Sequence, residues 1–296
     1  MDTVALWIAI AIPILLGFAP ITMGGTRTNA KELGKLAHRI GLPLPAQRVG
    51  RIVRRIRSQE NHALWGGTAG VVIAGLWVLL ARSGSGGPLV LLGGAAGASI
   101  GSVIGLLRAA TTMPDEAPRI ARSAAVDATD YVAPWVFGLV RAMIAVALVS
   151  GTLGLVITLA GRQETVTLVS RVVLPTVAAT AAYVTTELLS RVVADRARRA
   201  DSELELAWDD VLRAWGLHQV AIGSVVVSAM PGVLLMTLDA ITPVGGVLWW
   251  PAFLATGISI GLAAIALVCI WVGPSDRVLR RLWPDADFDD VVPGTV

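Results

Sequence analysis

The sequence predicts an all-α transmembrane helix bundle of seven membrane spans, with the N-terminus outside and the C-terminus inside. Three observations lead there. Of 296 residues, 55% are hydrophobic and only 15% are charged, and the mean hydropathy of +0.71 is far above what a soluble core requires. The apolar residues fall in long blocks, unlike the short amphipathic periods of soluble helices and strands. The basic residues, finally, gather on one side of those blocks, as the positive-inside rule expects.

The first block, residues 4–21, follows Met1-Asp2-Thr3 without a basic residue, whereas a secretory signal carries positive charge ahead of its apolar run. An uncleaved span is expected there, loosened by Pro13 and Pro20. Residues 24–61 then hold nine Lys/Arg. Asn29 followed by Glu32 reads as a helix start, and Gly41, Pro43 and Pro45 as its end. A second, amphipathic helix is expected at 46–59, where Val49, Ile52, Val53 and Ile56 share one face. Arg48, Arg51, Arg54, Arg55 and Arg57 occupy most of the remaining surface. The plainer reading of this segment is a basic loop that only fixes topology. The sharper one is a helix in the headgroup plane, its aliphatic side in the acyl boundary and its arginines on anionic lipid phosphates.

Six further spans are expected at 62–81, 88–107, 134–160, 172–189, 220–238 and 249–272, each near or above the roughly 20 residues that cross a hydrocarbon core. Alternating the connections places 21 Lys/Arg inside: nine in 24–61, then Arg108, Arg119, Arg122 and Arg141, five in 190–217 and three after 273. Only Arg82, Arg162 and Arg171 fall outside. Tryptophans agree with this map, since Trp65, Trp135, Trp215 and Trp271 mark inner boundaries and Trp7, Trp77, Trp249 and Trp250 outer ones. After the first span the chain runs as three hairpins, but their mutual sequence match is too poor to establish a triplication.

Gly93, Gly97, Gly101 and Gly105 form a ladder at intervals of four on the third span, a smooth groove for a neighbouring helix. Gly66 and Gly70 on the second span, and Gly257 and Gly261 on the last, repeat the spacing and are its expected partners within the chain; packing between subunits is the alternative. The amphipathic segment 202–215 opens with Ser202 and Glu205 as a capping box. Leu204, Trp208, Val211, Leu212 and Trp215 make one face, and Glu203, Glu205, Asp209 and Asp210 an exposed acidic one. An interfacial helix paired with neighbouring arginines, or a docking surface for a cytoplasmic partner, fits that pattern.

No ionisable residue lies at the centre of a predicted span, which argues against a proton relay, a voltage sensor or a pump for charged solutes. Arg141 and Glu187 stand near inner ends. On the fifth span Thr176, Thr180, Tyr183 and Glu187 share a face, the candidate polar pathway; Ser224, Ser228, Thr256 and Ser259 are candidates to oppose it. Hydroxyls bonded to their own helix or to a neighbour explain the same residues without transport. His38, His62 and His218 are isolated, Cys269 is the only cysteine, and no nucleophile elbow or phosphate loop is present, so no catalytic residue, metal site or cofactor is expected. The acidic tail residues Asp285, Asp287, Asp289 and Asp290 lack the glycine and bidentate glutamate of a calcium loop.

The function expected from these features is that of a non-enzymatic subunit or accessory of an assembly in a bacterial cytoplasmic membrane. Its partners are the bilayer with its anionic headgroups, a cytoplasmic or membrane protein, and a second copy of the chain; nucleic acid is not among them. A transporter or channel for a neutral or amphipathic solute is the second reading, and a membrane-embedded lipid-modifying enzyme the third.

Overall fold

The computed structural model describes residues 30–44, 49–81, 86–111, 126–161, 164–195, 202–236, 238, 249–272 and 277–284. Within them every regular element is helical: α1 (Ala30–Ile40), α2 (Val49–Ala81), α3 (Gly86–Thr111), α4 (Ala128–Tyr131), α5 (Pro134–Ala160), α6 (Thr165–Asp195), α7 (Glu203–Leu235), α8 (Trp249–Val272) and α9 (Arg277–Leu282). Five of these, α2, α3, α5, α6 and α7, are long and apolar enough to cross a membrane. The apolar stretch described in α8, Trp250–Ala266, is shorter. The expected first span, Arg48 and the acidic tail lie outside the described residues.

Local chemistry accounts for several boundaries. Gly41 takes φ +72° after α1, and the Leu42 N–H donates to the Ala37 carbonyl at 3.0 Å, the bond that closes a helix on a left-handed glycine. Pro134 starts α5, where a missing N–H costs nothing. Ser202 caps α7 by accepting from the Glu205 N–H at 3.3 Å. Inside α6, Val169–Val173 form a π-helical turn whose Ser170, Arg171 and Val172 are buried. Arg171 therefore belongs to the helix and not to an outer loop, and α6 begins well before the expected residue 172.

Two expected segments are corrected by the length of their helices. From Val49 on, the expected amphipathic helix at 46–59 and the span at 62–81 are one helix of 33 residues, α2. The segment 202–215 and the span at 220–238 are likewise one helix of 33 residues, α7. Each is about 50 Å long at 1.5 Å per residue, well beyond a hydrocarbon core of about 30 Å. Nothing in Gln59-Glu-Asn-His-Ala-Leu64 or Trp215-Gly-Leu-His-Gln-Val220 breaks a helix, so each continues until its apolar face meets other protein.

That meeting forms a second core. Ile52, Val53 and Ile56 of α2 pack with Leu33, Ala37, Ile40 and Leu42 around α1, with Trp208, Val211 and Leu212 of α7, and with Leu279 of α9. The aliphatic side of 49–56 is thus covered by protein and not by acyl chains. α7 is the bundle's axis. Its Leu217, Val220, Ala221 and Val225 meet Leu106 of α3, Val136, Val140 and Met143 of α5, and Leu189 and Val193 of α6.

The glycine ladder packs against α2. A Cβ on Gly97 would fall on the Gly66 carbonyl, one on Gly93 on the Gly70 carbonyl, and one on Gly101 on the His62 carbonyl, whereas on Gly105 it would stand 3.1 Å from the Gln59 Cα. Gly257 and Gly261, expected as packing positions, differ. A Cβ on either meets nothing within 4 Å among the described residues; both sit on the exposed side of α8 with Leu254, Ile258 and Ile260. Trp65, Trp77, Trp135 and Trp250 are all exposed.

Candidate functional site

Four residues of α7, Trp208, Asp209, Asp210 and Arg213, each reach a different neighbour. Successive helical residues point about 100° apart, so three in a row find partners only where the helix is surrounded. Trp208 Nε1 donates to the Pro43 carbonyl at 3.1 Å. Asp209 takes Arg55 Nη1 of α2 at 2.5 Å and lies 2.7 Å from Arg213 Nε, the latter an ion pair without hydrogen-bond alignment. Asp210 accepts from the Tyr131 hydroxyl of α4 at 3.3 Å and from Trp283 Nε1, just past α9, at 3.1 Å. Arg213 Nη1 donates to the Val193 carbonyl of α6 at 3.3 Å.

All four side chains are buried, Asp210 completely. The expectation that Asp209 and Asp210 line an exposed acidic face is overturned. α1, α2, α4 and α9 wrap this half of α7, leaving Glu203 exposed and Glu205 half-buried, 3.7 Å from Arg51. A buried carboxylate is tolerable only when paired or hydrogen-bonded, and the two adjacent acids meet that condition with donors from different elements. The cluster is a clasp that fixes α2, α4, α6 and the α9 region to one central helix. Among the described residues no group of His, Cys, Asp or Glu has the arrangement of a metal site.

Around the clasp, Asp127 caps α4 by accepting from the Ala128 N–H at 2.7 Å, and Asp130 accepts in return from the Asp127 N–H at 2.9 Å. Arg281 Nε of α9 stands 2.9 Å from Asp130. Sequence reasoning missed Asp127, Asp130 and Tyr131. The spacing Asp127-x-x-Asp130 was the available signal, an acidic variant of the capping box.

The predicted arginine face of α2 divides. Arg51 and Arg54 are exposed, whereas Arg55 and Arg57 are partly buried, and Arg55 is committed to Asp209. Next to it, the His62 Nδ1–H donates to the Ser58 carbonyl at 2.6 Å, which leaves Nε2 to accept from Arg108 Nη1 at 3.0 Å.

The candidate polar pathway also divides. Thr176 and Thr180 donate to the Val172 and Thr176 carbonyls of their own helix at 2.7 and 2.9 Å, and Thr180 faces outward. Ser224 and Ser228, offered as an opposing edge, are buried with hydroxyls unpartnered among the described residues. Thr256 shares its hydroxyl between the Gly232 carbonyl of α7 at 2.7 Å and its own Ala252 carbonyl at 2.9 Å, and so ties α8 to α7. Glu187 holds Arg141 of α5 through Nε at 3.1 Å and Nη2 at 3.0 Å, with Tyr183 beside the guanidinium. The four residues do not line one path: two bond to their own backbone and two surround an arginine.

Compared with protein-family models, with curated proteins and with solved structures, the chain matches none.

Proposed function

We propose that the chain is a seven-span, N-out and C-in protein of a bacterial cytoplasmic membrane. It acts there as a non-catalytic component of a membrane assembly, presenting a folded head on the inner side. One observation carries the reading: α2 and α7 run unbroken from apolar into polar surroundings and end in a head with its own hydrophobic core and ionic clasp. A loop that only sets topology needs neither. Asp209 is engaged by Arg55 and Arg213, and Asp210 by Tyr131 and Trp283, which suits a rigid platform better than a reaction centre, where a general acid or base must reach a substrate. Exposed Arg54 and Glu203 stand on its surface for a partner to read.

Transport along Thr176 to Glu187 has less support, because the threonines bond to their own helix and Glu187 is engaged by Arg141. The deciding experiment purifies the tagged chain in mild detergent from its native host, with Arg54→Glu/Glu203→Lys as control. A stoichiometric protein that the control variant loses is the expected result. A lone wild-type protein that moves solute in liposomes would overturn the assembly reading in favour of transport.

A further inference from the structure

The Arg141–Glu187 pair is recessed from the polar end of the bundle. Arg141 lies seven residues after Pro134, the first residue of α5, or about 10 Å along the axis. Glu187 lies eight residues before Asp195, the last of α6, or about 12 Å. Exposed Trp135 sits near the start of α5, at the level where an indole meets lipid headgroups. The pair therefore faces outward from a level that, in a bilayer, is already aliphatic.

A guanidinium there requires more partners than one carboxylate supplies. Glu187 occupies Nε and one Nη2 position, while the Arg141 side chain is still 62% exposed. Tyr183 also stands beside the guanidinium, and the exposed part of the donor fork is what a ligand can reach. Its surroundings are shaped to admit something bulky: Gly138, Ala142 and Ala145 are the exposed residues beside it on α5, and a Cβ on Gly138 meets nothing within 4 Å. Val184 and Leu188 of α6 are exposed next to Glu187. Helix side chains lean towards their N-terminus, and the N-terminus of α5 is at the polar end. Arg141 thus leans towards the headgroup level and Glu187 braces it from the apolar side.

We propose that Arg141, braced by Glu187, seats the phosphate of one phospholipid from the leaflet at the polar end. The acyl chains lie over Val184 and Leu188, and the glycerol sits in the shallow surface over Gly138, Ala142 and Ala145. A planar fork of N–H donors matches phosphate oxygens, and its alkyl stem reaches back about one turn towards them. A carboxylate on a second protein helix would itself be a charge at aliphatic depth, which favours lipid as the occupant.

Native mass spectrometry of the full chain in nonionic detergent, titrated with phosphatidylglycerol and phosphatidylethanolamine, tests this. Wild type is expected to retain one phospholipid through delipidation, and Arg141→Gln to bind it about tenfold more weakly, the loss of one charge-assisted hydrogen bond. Arg280→Gln, which alters an exposed arginine on another helix, α9, is expected to bind as wild type. If Arg141→Gln fails to fold because Glu187 is stranded, Arg141→Gln/Glu187→Gln removes both charges and carries the same expectation. Unchanged lipid retention in these variants would overturn the site. So would a wild-type dimer that Arg141→Gln disperses, which would make the occupant a second chain, or displacement of the lipid by millimolar inorganic phosphate, which would make it a soluble anion.

Discussion

Asp209 is the residue on which the polar end turns, because it answers two arginines from two directions while 5% exposed. Removing it leaves Arg213, also 5% exposed, as a buried charge without its carboxylate. Breaking one partner of a buried pair costs about 3–5 kcal/mol, so Asp209→Ala is expected to unfold at markedly lower temperature in detergent, followed by tryptophan fluorescence. Asp209→Leu/Arg213→Met removes the stranded charge and is expected to recover most of the loss. A single variant as stable as wild type would show that the clasp contributes nothing. Little of this was legible in the sequence. Asp209 and Asp210 follow Glu203 and Glu205 in a segment that reads as amphipathic, and an acid on the polar side of such a pattern is assigned to solvent. Their burial depends on what wraps α7, namely α1, α2, α4 and α9, which are distant in sequence. Glu187 and Tyr183 were singled out by periodicity, but their partner Arg141 was visible only as a residue near a boundary, since spacing along one helix is silent about the next.

Among the elements, the hairpin of α2 and α3 depends on glycine and the outer face of α8 does not. Helix spacing is set by the largest atom at the contact, and at Gly97 an added Cβ would fall on the Gly66 carbonyl, 2.9 Å from its carbon. The backbones must separate to admit it. Gly97→Ala is therefore expected to lower the melting temperature clearly and Gly105→Ala only slightly, because the latter Cβ stands 3.1 Å from Gln59 Cα with a side chain as its next neighbour. Gly257→Ala meets open space and is expected to be neutral or to raise stability by up to about 1 kcal/mol through helix propensity. Equal effects at Gly97 and Gly257 would refute the assignment of the ladder to this hairpin. The helices α5 and α8 were readable to the residue, because Pro134 and the tryptophans at 249 and 250 punctuate them. The joins inside α2 and α7 were not, since a change from polar to apolar composition resembles a boundary even where the backbone continues.

At the scale of the whole molecule, the polar stretches that build the clasp meet at one end among the described residues. Pro43 with Trp208, Arg55 with Asp209, Tyr131 and Trp283 with Asp210, and Val193 with Arg213 bring together stretches that alternate with apolar helices along the chain. That requires α2, α5 and α7 to start at this end and α6 to finish there, the alternation that a hairpin reading of the sequence demands. The proposed topology puts this arginine-bearing end on the cytoplasmic side, where the positive-inside rule retains positive charge, and labelling tests it. In a Cys269→Ser background, Glu164→Cys reports the end opposite the clasp, and Arg54→Cys and Glu203→Cys report the clasp end; all three native residues are exposed. With a membrane-impermeant maleimide on intact cells, position 164 is expected to label at once, and positions 54 and 203 only after permeabilisation. Reversal of that pattern would invert the topology and remove the cytoplasmic partner from the proposed function. Labelling of all three in intact cells would deny that the bundle separates two compartments, because a protein embedded across the bilayer cannot present both of its ends to one reagent.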